Sequence, residues 1–272
     1  MYAQLEALIR RLTILTSLGF GRFALVLISF VLLGVISPQM SYAREVVKVY
    51  TYHLKLPLVI DEVAHTGMYF DVLRYFNQHQ SDYQYELHYL PRRRLDALVN
   101  DGKLDGLVIG VSPLWFGDVN ESKYAWTKSF VHDTDEVISL RETAFEFTDP
   151  ESLLGKKVGL VFGYYYRGVS ELAQAGKLKR DDASSEDHHF RKLLAQRIDV
   201  AIISRSNYEY VMKIQPEWAA RFHVSKIPHD QFERRILLPQ HLSKLQHDLN
   251  KLIEKMHHDP AWRQQMQTYR TN

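Results

Sequence analysis

Short runs of β-branched and aromatic residues alternate along the chain with segments whose apolar residues recur every three or four positions. The first pattern is typical of strands and the second of amphipathic helices. The run LDGLVIGV is apolar without alternation, as expected for a strand that is covered on both faces. The predicted strands are Val46–Tyr52, Tyr83–Leu90, Leu104–Val111, Asp133–Leu140, Lys157–Phe162, Ile198–Ile203 and Phe232–Leu238.

The segments between these strands carry helix signals at their ends. Ser184 and Asp187 form a capping pattern, and Pro260 stands at the first position of a helix directly after the capping residue Asp259. The predicted helices are one that begins at Gly67, one that runs from Pro91 to Gly102, Gly168–Ala175, Ser184–Gln196, Gln240–Met256 and one that begins at Asp259 and Pro260.

The order of strand, helix and strand occurs twice. Residues 103–110 (KLDGLVIG) align with residues 197–204 (RIDVAIIS), and both stand at the same point of an α/β block. This repetition predicts two α/β lobes built on the same plan. Lobe 1 is predicted to comprise residues 44–140 and 232–272, and lobe 2 residues 141–231, because the late strand and the closing helices return to lobe 1. The chain then crosses twice between the lobes and forms a hinge.

Residues 1–43 have the order of a secretory signal peptide. Three arginines precede the apolar run FALVLISFVLLGVI, and small residues stand at Ser41 and Ala43. The run is shorter than the roughly 20 apolar residues that span a bilayer, which favours a cleaved signal over a membrane anchor. Cleavage after Ala43 predicts export to the periplasm. The long basic region leaves the position of the true start codon open.

Composition and charge exclude several classes of function. The chain has 34 Lys and Arg, 32 Asp and Glu, and no cysteine. Cleavage removes three arginines and one glutamate, so the exported chain carries balanced charge and lacks the basic excess that nucleic-acid binding requires. Without cysteine, a disulfide, thiolate zinc ligands, a thiol nucleophile and a lipoprotein anchor are excluded. We expect a soluble periplasmic protein.

The common motifs of catalysis and cofactor binding are missing. The sequence contains no G-x-S-x-G, H-E-x-x-H, G-x-G-x-x-G or P-loop. The 13 histidines include two adjacent pairs, His188-His189 and His257-His258. Adjacent residues on a helix point about 100° apart, so neither pair can hold one ion from one helix face. No metal and no cofactor is predicted.

Residues 160–168 read LVFGYYYRG, with three tyrosines directly after a predicted strand. Ligands of open α/β sheets bind beyond the carboxyl ends of the strands, beside helix N-termini. Tyrosine offers such a ligand a flat apolar face and a hydroxyl group. Because three consecutive side chains cannot all point inward, we expect at least one of Tyr164, Tyr165 and Tyr166 to contact a ligand and at least one to pack locally.

Pro91, Arg94, Gly102 and Asp105 stand at the spacing P-x-x-R-x-x-x-x-x-x-x-G-x-x-D. This pattern resembles a signature of family 3 extracellular solute-binding proteins. LLGKKVGLVFGYYY resembles the start of the family's second lobe, and FRKLLAQRIDVAIISR resembles its later passage from helix to strand. The similarity covers nearly all of residues 46–270. It implies the type II periplasmic binding protein fold, an α/β clamshell of two lobes with two hinge crossings, in a monomer that captures a small-molecule solute.

The residues that usually bind an amino acid in this family are missing from their places. Gly117 stands where an arginine usually binds the carboxylate, and Ser204 stands where an aspartate usually binds the ammonium, whereas Gly110 matches. Arg94, Arg167 and Arg205 remain as sources of positive charge. The solute is expected to be amino-acid-like, peptide-like, aromatic or an organic anion, and its identity stays open. The predicted ligand-binding residues are Tyr52, His53, Arg94, Gly110, Ser112, Trp115, Gly163, Tyr164, Tyr165, Tyr166, Arg167, Ser204 and Arg205.

Three functions fit such a fold. The leading hypothesis is delivery of the solute to the membrane permease of an ABC-type transporter. The second is sensing, in which the protein presents the solute to a signalling receptor. The third is an enzyme such as a dehydratase, which needs an acid or base with a perturbed pKa in the cleft, and only His53 and Asp118 are candidates. We expect no catalysis, and gene neighbourhood distinguishes transport from sensing.

Overall fold

The computed structural model describes residues 44–270, and the predicted signal peptide lies outside the described residues. The strands are β1 (Glu45–Thr51), β2 (Tyr83–Tyr89), β3 (Leu107–Val111), β4 (Ala125–Trp126), β5 (Val131–Leu140), β6 (Lys157–Val161), β7 (Lys179–Ala183), β8 (Val200–Ser204), β9 (Phe222–Val224) and β10 (Asp230–Leu238). The α-helices are α1 (Met68–His79), α2 (Arg92–Asn100), α3 (Val169–Gln174), α4 (His188–Leu194), α5 (Arg205–Ile214), α6 (Gln246–His258) and α7 (Pro260–Gln267).

The strands form one sheet in the order β2-β1-β3-β10-β5-β8-β6-β7, with β4 beside β10 and β9 beside β5. The pairs among β2, β1 and β3 are parallel, as are those among β8, β6 and β7. Strands β10 and β5 run antiparallel to each other and to their outer neighbours β3 and β8. Each half of the sheet is therefore a small parallel sheet, and the pair β5–β10 lies between the halves.

Strands β5 and β10 each belong to both halves of the sheet. Residues 131–135 of β5 pair with residues 230–234 of β10. Strand β5 then continues along β8 with residues 135–139, and β10 continues along β3 with residues 235–237. The chain crosses between the halves on these two strands. The predicted lobe boundary after residue 140 coincides with the end of β5, and the boundary after residue 231 lies within β10. The division into lobes at these residues stays a prediction.

Each half of the sheet has its own apolar core. Helices α1 and α6 pack against the half that contains β1, where Phe76, Leu249 and Ile253 are fully buried. Helix α4 packs against the other half, where Phe190 and Leu193 are fully buried. Helix α6 thus joins the half that contains β1, although it follows the other half in sequence.

The predicted strands are all present, with ends that differ by up to three residues. The helix predicted over residues 184–196 is shorter and spans His188–Leu194. The predicted capping by Ser184 and Asp187 was wrong, because Asp187 makes no side-chain cap hydrogen bond and the Ser184 hydroxyl contacts the His188 ring nitrogen Nδ1 at 3.3 Å. Strand β7 has no counterpart among the predictions, because KRDDA is a polar edge strand without an apolar face.

Gly110 of β3 lies where the sheet meets helix α1. Its φ is +80°, and a Cβ atom at this position would lie 1.7 Å from the Tyr69 hydroxyl oxygen. Its carbonyl oxygen accepts a hydrogen bond of 3.2 Å from the Arg234 guanidinium. Only glycine combines this backbone conformation with such a close approach of a neighbouring side chain.

Gly110→Ala is expected to destabilise the fold more than Gly102→Ala. Both glycines have positive φ values, which cost an alanine about 1–2 kcal/mol. Nothing lies within 4 Å of the Cβ position at Gly102, whereas the clash with Tyr69 adds about 1–3 kcal/mol at Gly110, the usual cost of overpacking. Urea unfolding of the two variants measures the difference. Equal losses of stability would contradict the close approach of Tyr69.

Candidate functional site

A cavity of about 220 Å³ lies between the two halves of the sheet. Both halves and both crossing strands contribute to its lining. The half that contains β1 supplies Tyr52, His53, Lys55, Arg92, Asp96 and Trp115; the other half supplies Gly163, Tyr164, Tyr165, Tyr166 and Glu186; and the crossing strands supply Asp135, Phe232 and Arg234.

The cavity lies beyond the carboxyl ends of the parallel strands. Tyr52 and His53 directly follow β1, and Trp115 lies in a short 3₁₀ helix just after β3. The tyrosine run follows β6, and Glu186 comes soon after β7. Carboxyl ends of parallel strands share one edge of a sheet, so the loops that follow them meet there.

The three consecutive tyrosines have three different environments. Tyr164 is half-buried, and its ring lies nearly perpendicular to that of Tyr52 in the other half, with 5.5 Å between the ring centroids. Its hydroxyl donates a hydrogen bond of 3.5 Å to the Tyr52 carbonyl. Tyr165 is 60% exposed and donates to the Glu171 carboxylate. Tyr166 is buried in the core of its own half. Tyr164 is the member of the run that contacts the opposite half.

The rings of Tyr52, Trp115, Tyr164 and Phe232 form an aromatic wall of the cavity. His53 packs against this wall. Its ring centroid lies 4.0 Å from that of Tyr52, 5.8 Å from that of Tyr164 and 6.0 Å from that of Trp115. Trp115 also packs against Phe232, at 4.9 Å between centroids. Burial lowers the pKa of His53 well below its usual value, and the positive charges around the cavity add to that shift. The imidazole is therefore neutral at neutral pH.

Arg92, the first residue of α2, lies against the aromatic wall. Its guanidinium carbon is 4.7 Å from the centroid of the Tyr52 ring. The guanidinium donates to the Tyr52 hydroxyl at 2.9 Å, to the Trp115 carbonyl at 2.7 Å and to the Asp96 carboxylate at 2.8 Å. Asp96, one helical turn later, balances the charge of Arg92.

Lys55 reaches from the segment after β1 to the other half of the protein. Its ammonium lies 2.5 Å from the Glu186 carboxylate and donates to the Ser204 hydroxyl at 3.1 Å. Glu186 also accepts hydrogen bonds from the backbone N–H of Ser204 at 3.0 Å and from its hydroxyl at 2.7 Å. All three side chains are buried. This ion pair joins the two halves beside the cavity.

Arg234 of β10 is fully buried and forms an ion pair with Asp133 of β5, at 2.7 Å between Nη2 and Oδ2. The hydroxyl and backbone N–H of Ser206 also donate to Asp133. Burial raises the pKa of Asp133, but the positive charges of Arg234 and Lys55, together with the hydrogen bonds from Arg234 and Ser206, outweigh that effect and hold the pKa below its ordinary value. Asp133 therefore stays ionised at neutral pH.

Asp135 is the carboxylic acid of the lining that has no hydrogen-bond partner within residues 44–270. Its backbone is held on both sides, opposite Asp230 of β10 and Ser204 of β8. Burial, and then the nearby Glu186 carboxylate, raise the pKa of Asp135 to about 8. The carboxyl group is therefore largely protonated at neutral pH.

The structure brings part of the predicted ligand-binding set together in the lining. The members that line the cavity are Tyr52, His53, Trp115, Gly163, Tyr164, Tyr165 and Tyr166. Gly110, Ser112 and Ser204 lie outside the lining. Gly110 accepts the Arg234 hydrogen bond, Ser204 supports Glu186, and Ser112 precedes the 3₁₀ helix that carries Trp115. Contact of any of these residues with a solute stays a prediction.

The three predicted arginines also lie outside the lining. Arg205 pairs with the buried carboxylate of Glu136, and Arg167 donates to Asp230. Arg94 is exposed on helix α2, where Arg92 lines the cavity instead. Residues two apart on a helix point about 200° apart, so Arg92 and Arg94 cannot face the same cavity.

The lining residues absent from the predicted set are Lys55, Arg92, Asp96, Asp135, Glu186, Phe232 and Arg234. The sequence could have indicated Asp135 and Arg234 as site residues. Each is a charged residue inside a predicted strand, and a charge that a strand buries requires a partner. Lys55 and Glu186 are 131 residues apart, and no local pattern connects them.

Asp118, considered above as a possible base, holds a loop outside the cavity lining. Its carboxylate accepts hydrogen bonds from the Trp126 indole and from the backbone N–H groups of Ser122 and Lys123. Burial raises the pKa of Asp118, but these hydrogen bonds outweigh that effect and leave the pKa below its ordinary value. Asp118 is therefore engaged in holding this loop.

Within residues 44–270, no group of three or more His, Cys, Asp or Glu residues has an arrangement that holds a metal ion. None of the helices in the same range has both the length and the apolar character needed to cross a membrane.

No protein-family model matches the sequence, and no curated protein matches it either. Solved structures do match the fold. An ancestral arginine-binding protein bound to arginine is 16% identical with a TM-score of 0.61, over 83% of this chain and 98% of that one. The GluR0 ligand-binding core in complex with L-glutamate is 16% identical with a TM-score of 0.66, over 85% and 100%. A putative L-cystine ABC transporter from Listeria monocytogenes is 15% identical with a TM-score of 0.64, over 83% and 95%.

These matches confirm the predicted fold class. The chain has the two-lobed α/β architecture of type II periplasmic binding proteins, with two crossings between the lobes. The resemblance to family 3 solute-binding proteins is confirmed at the level of the fold.

Asp135→Asn is expected to stabilise the protein increasingly as the pH rises from about 4 to about 8. The folded pKa of Asp135 is raised to about 8 from an ordinary value of 3.8, so its contribution to stability is present at low pH and is lost as the pH rises. Asparagine resembles the protonated acid and does not ionise. Thermal unfolding of both proteins between pH 4 and pH 9 measures the effect.

Asp133→Asn is the matched control on the same strand. It leaves Arg234 buried without its partner, which is expected to cost about 3–5 kcal/mol at pH 7. If Asp135→Asn instead lowered the melting temperature at pH 8, that result would contradict the raised pKa of Asp135 and its lack of a hydrogen-bond partner among the described residues.

Proposed function

We propose that this protein is an exported solute-binding protein that closes its two lobes around a small polar solute and delivers it to the membrane permease of an ABC-type transporter. The observation that carries the proposal is the cavity between the lobes, whose lining comes from both lobes and from both crossing strands. A solute in this cavity contacts both lobes at once. Such a solute binds the closed form better than an open one, and that difference drives closure.

The size of the cavity favours a small solute. Its volume of about 220 Å³ lies below the roughly 300–1,000 Å³ of sites for drug-sized ligands. The same fold occurs in structures bound to arginine and to L-glutamate, which supports an amino-acid-like solute. The organic-anion alternative has less support, because Arg94 and Arg205 lie outside the lining and the arginines that line the cavity are paired with carboxylates.

The remaining parts of the proposal concern location and partners. The signal-peptide pattern of residues 1–43 supports export to the periplasm as a soluble protein. We propose a monomer without metal, cofactor or nucleic-acid partner. We also propose that it is not an enzyme, because His53 is neutral and packed among aromatic rings and Asp118 is used to hold a loop.

Sensing is the second candidate function. The match to the GluR0 ligand-binding core supports it, since the same fold serves there as a ligand-binding core. In sensing, the closed form would contact a receptor instead of a permease. Neighbouring genes for a permease and an ATPase would favour transport, and genes for a kinase or cyclase would favour sensing.

Solute binding is expected to make the protein more compact. A thermal-shift screen against amino acids, short peptides and organic acids identifies a solute, and small-angle X-ray scattering then compares the protein with and without it. We expect a smaller radius of gyration at saturation, because the solute bridges the lobes. A radius of gyration that does not respond to saturating solute would contradict the closing mechanism.

The three tyrosines are expected to respond differently to alanine substitution. Tyr164→Ala removes a ring that meets the opposite lobe, and a loss of about 1–2 kcal/mol corresponds to about five- to thirtyfold weaker binding. Tyr165→Ala is expected to weaken binding less, because the Tyr165 ring is 60% exposed. Phe162→Ala is the matched control, since Phe162 is equally exposed and lies outside the lining, and we expect less than about a twofold change. Tyr166→Ala is expected to lower the melting temperature instead. Titration calorimetry with the screened solute measures the affinities, and equal affinities of the Tyr164→Ala and Phe162→Ala proteins would contradict the role of Tyr164.

A further inference from the structure

The cations around the cavity are each paired with a carboxylate of the protein. Lys55 pairs with Glu186 at 2.5 Å, Arg92 with Asp96 at 2.8 Å and Arg234 with Asp133 at 2.7 Å. Their positive charges are therefore balanced within the protein. A solute that carries only a negative charge would have to compete with these carboxylates.

Among the described residues, Asp135 is the carboxylic acid of the lining that is not paired with a cation. It has no donor within hydrogen-bond distance among residues 44–270. When it ionises, the cavity holds one negative charge more than its paired cations balance. Asp135 is partly exposed to the cavity. A solute with one positive charge restores the balance and supplies a hydrogen-bond donor. A solute that fills the cavity removes the carboxylate from water, and a charge removed from water is stable only when it is paired and hydrogen-bonded.

The rest of the lining suits an apolar body. Tyr52, Trp115, Tyr164 and Phe232 present rings, and His53 is neutral. Aromatic faces bind apolar groups and also attract cations. The lining therefore combines one unpartnered carboxylic acid with a predominantly aromatic wall.

We propose that the solute is a small organic amine with an apolar or aromatic body, whose ammonium group binds the Asp135 carboxylate of crossing strand β5 in the cavity between the lobes. This inference rests on the proposed solute-binding function and specifies its solute class. The ammonium replaces the donor that Asp135 lacks within the protein, and the body packs between rings of both lobes. A carboxylate on the solute is not required.

Binding of such an amine is coupled to release of a proton. The groups that face Asp135 are Glu186 and Asp133, which disfavour its ionisation, and Lys55 and Arg234, which favour it. The ammonium adds a positive charge, so the Asp135 carboxyl group loses its proton to solvent as the ion pair forms. Below pH 8, the affinity is expected to fall about tenfold for each unit decrease in pH.

The test uses two matched series of probes in isothermal titration calorimetry at pH 7. The aromatic series is 2-phenylethylamine, 2-phenylethanol and 3-phenylpropanoate, and the aliphatic series is 3-methylbutylamine, 3-methylbutanol and 4-methylpentanoate. Within each series only the polar head changes, from cation to neutral group to anion. We expect at least one amine to bind about ten- to a hundredfold more tightly than its alcohol, and the carboxylates to bind more weakly than either.

Proton release and substitution identify the group that binds the amine. Titrations in phosphate and in Tris, which differ in ionisation enthalpy, are expected to show release of about one proton at pH 7. Asp135→Asn is expected to abolish both the preference for the amine and the proton release. Glu142→Gln changes an exposed carboxylate outside the cavity and is expected to alter neither.

The outcomes separate this inference from the proposed function. Amines that bind no better than the alcohols, or equally well to the Asp135→Asn protein, overturn the inference. Binding of a carboxylate or an amino acid in place of the amines also overturns it and leaves the proposed function standing. If neither these probes nor the amino acids, peptides and organic acids of the screen bind, the proposed function is overturned as well.

Discussion

The ion pair between Arg234 and Asp133 is the interaction on which the arrangement of the cavity depends. It lies between the two strands that cross from one half to the other, and Arg234 is 0% exposed. The attraction within a buried ion pair is largely offset by the cost of removing both charges from water, so the pair adds little net stability. Separating the partners is strongly destabilising, however, and the pair therefore disfavours any other register of the two strands. Arg234 also donates to the Gly110 carbonyl, and Ser206 donates to Asp133. The pair thus connects β3, β5, β10 and helix α5 at one point.

The register set by this pair decides which side chains line the cavity. Residues two apart on a strand point to the same face of a sheet. Because Asp133 and Arg234 meet on one face of the crossing strands, Asp135 and Phe232 lie on that face as well. Both line the cavity. The crossing strands therefore contribute to the solute site as well as to the connection between the lobes.

Charge pairing explains how a cavity with so many ionisable groups stays compatible with burial. Lys55 and Glu186 come from different lobes and satisfy each other, and Arg92 and Asp96 are neighbours on one helix. The Lys55–Glu186 pair is buried, where low effective dielectric strengthens the attraction and makes a lone charge costly, whereas the Arg92–Asp96 pair is partly exposed. Asp135 meets this constraint in another way, because its raised pKa of about 8 keeps it protonated at neutral pH.

Local patterns in the sequence determined most of the strands and helices of the described residues, because strand and helix periods depend on neighbouring residues. The alignment of KLDGLVIG with RIDVAIIS was enough to predict two α/β lobes, and positions at or just after the ends of predicted strands were enough to predict the cleft position of Tyr52, Trp115 and Tyr164. Tertiary structure alone decided which charges meet in the cavity. Lys55 and Glu186, 131 residues apart, pair only because the lobes bring them together. The choice of Arg92 over Arg94 depends on how helix α2 is rotated against the sheet, which packing decides and no spacing in the sequence reveals.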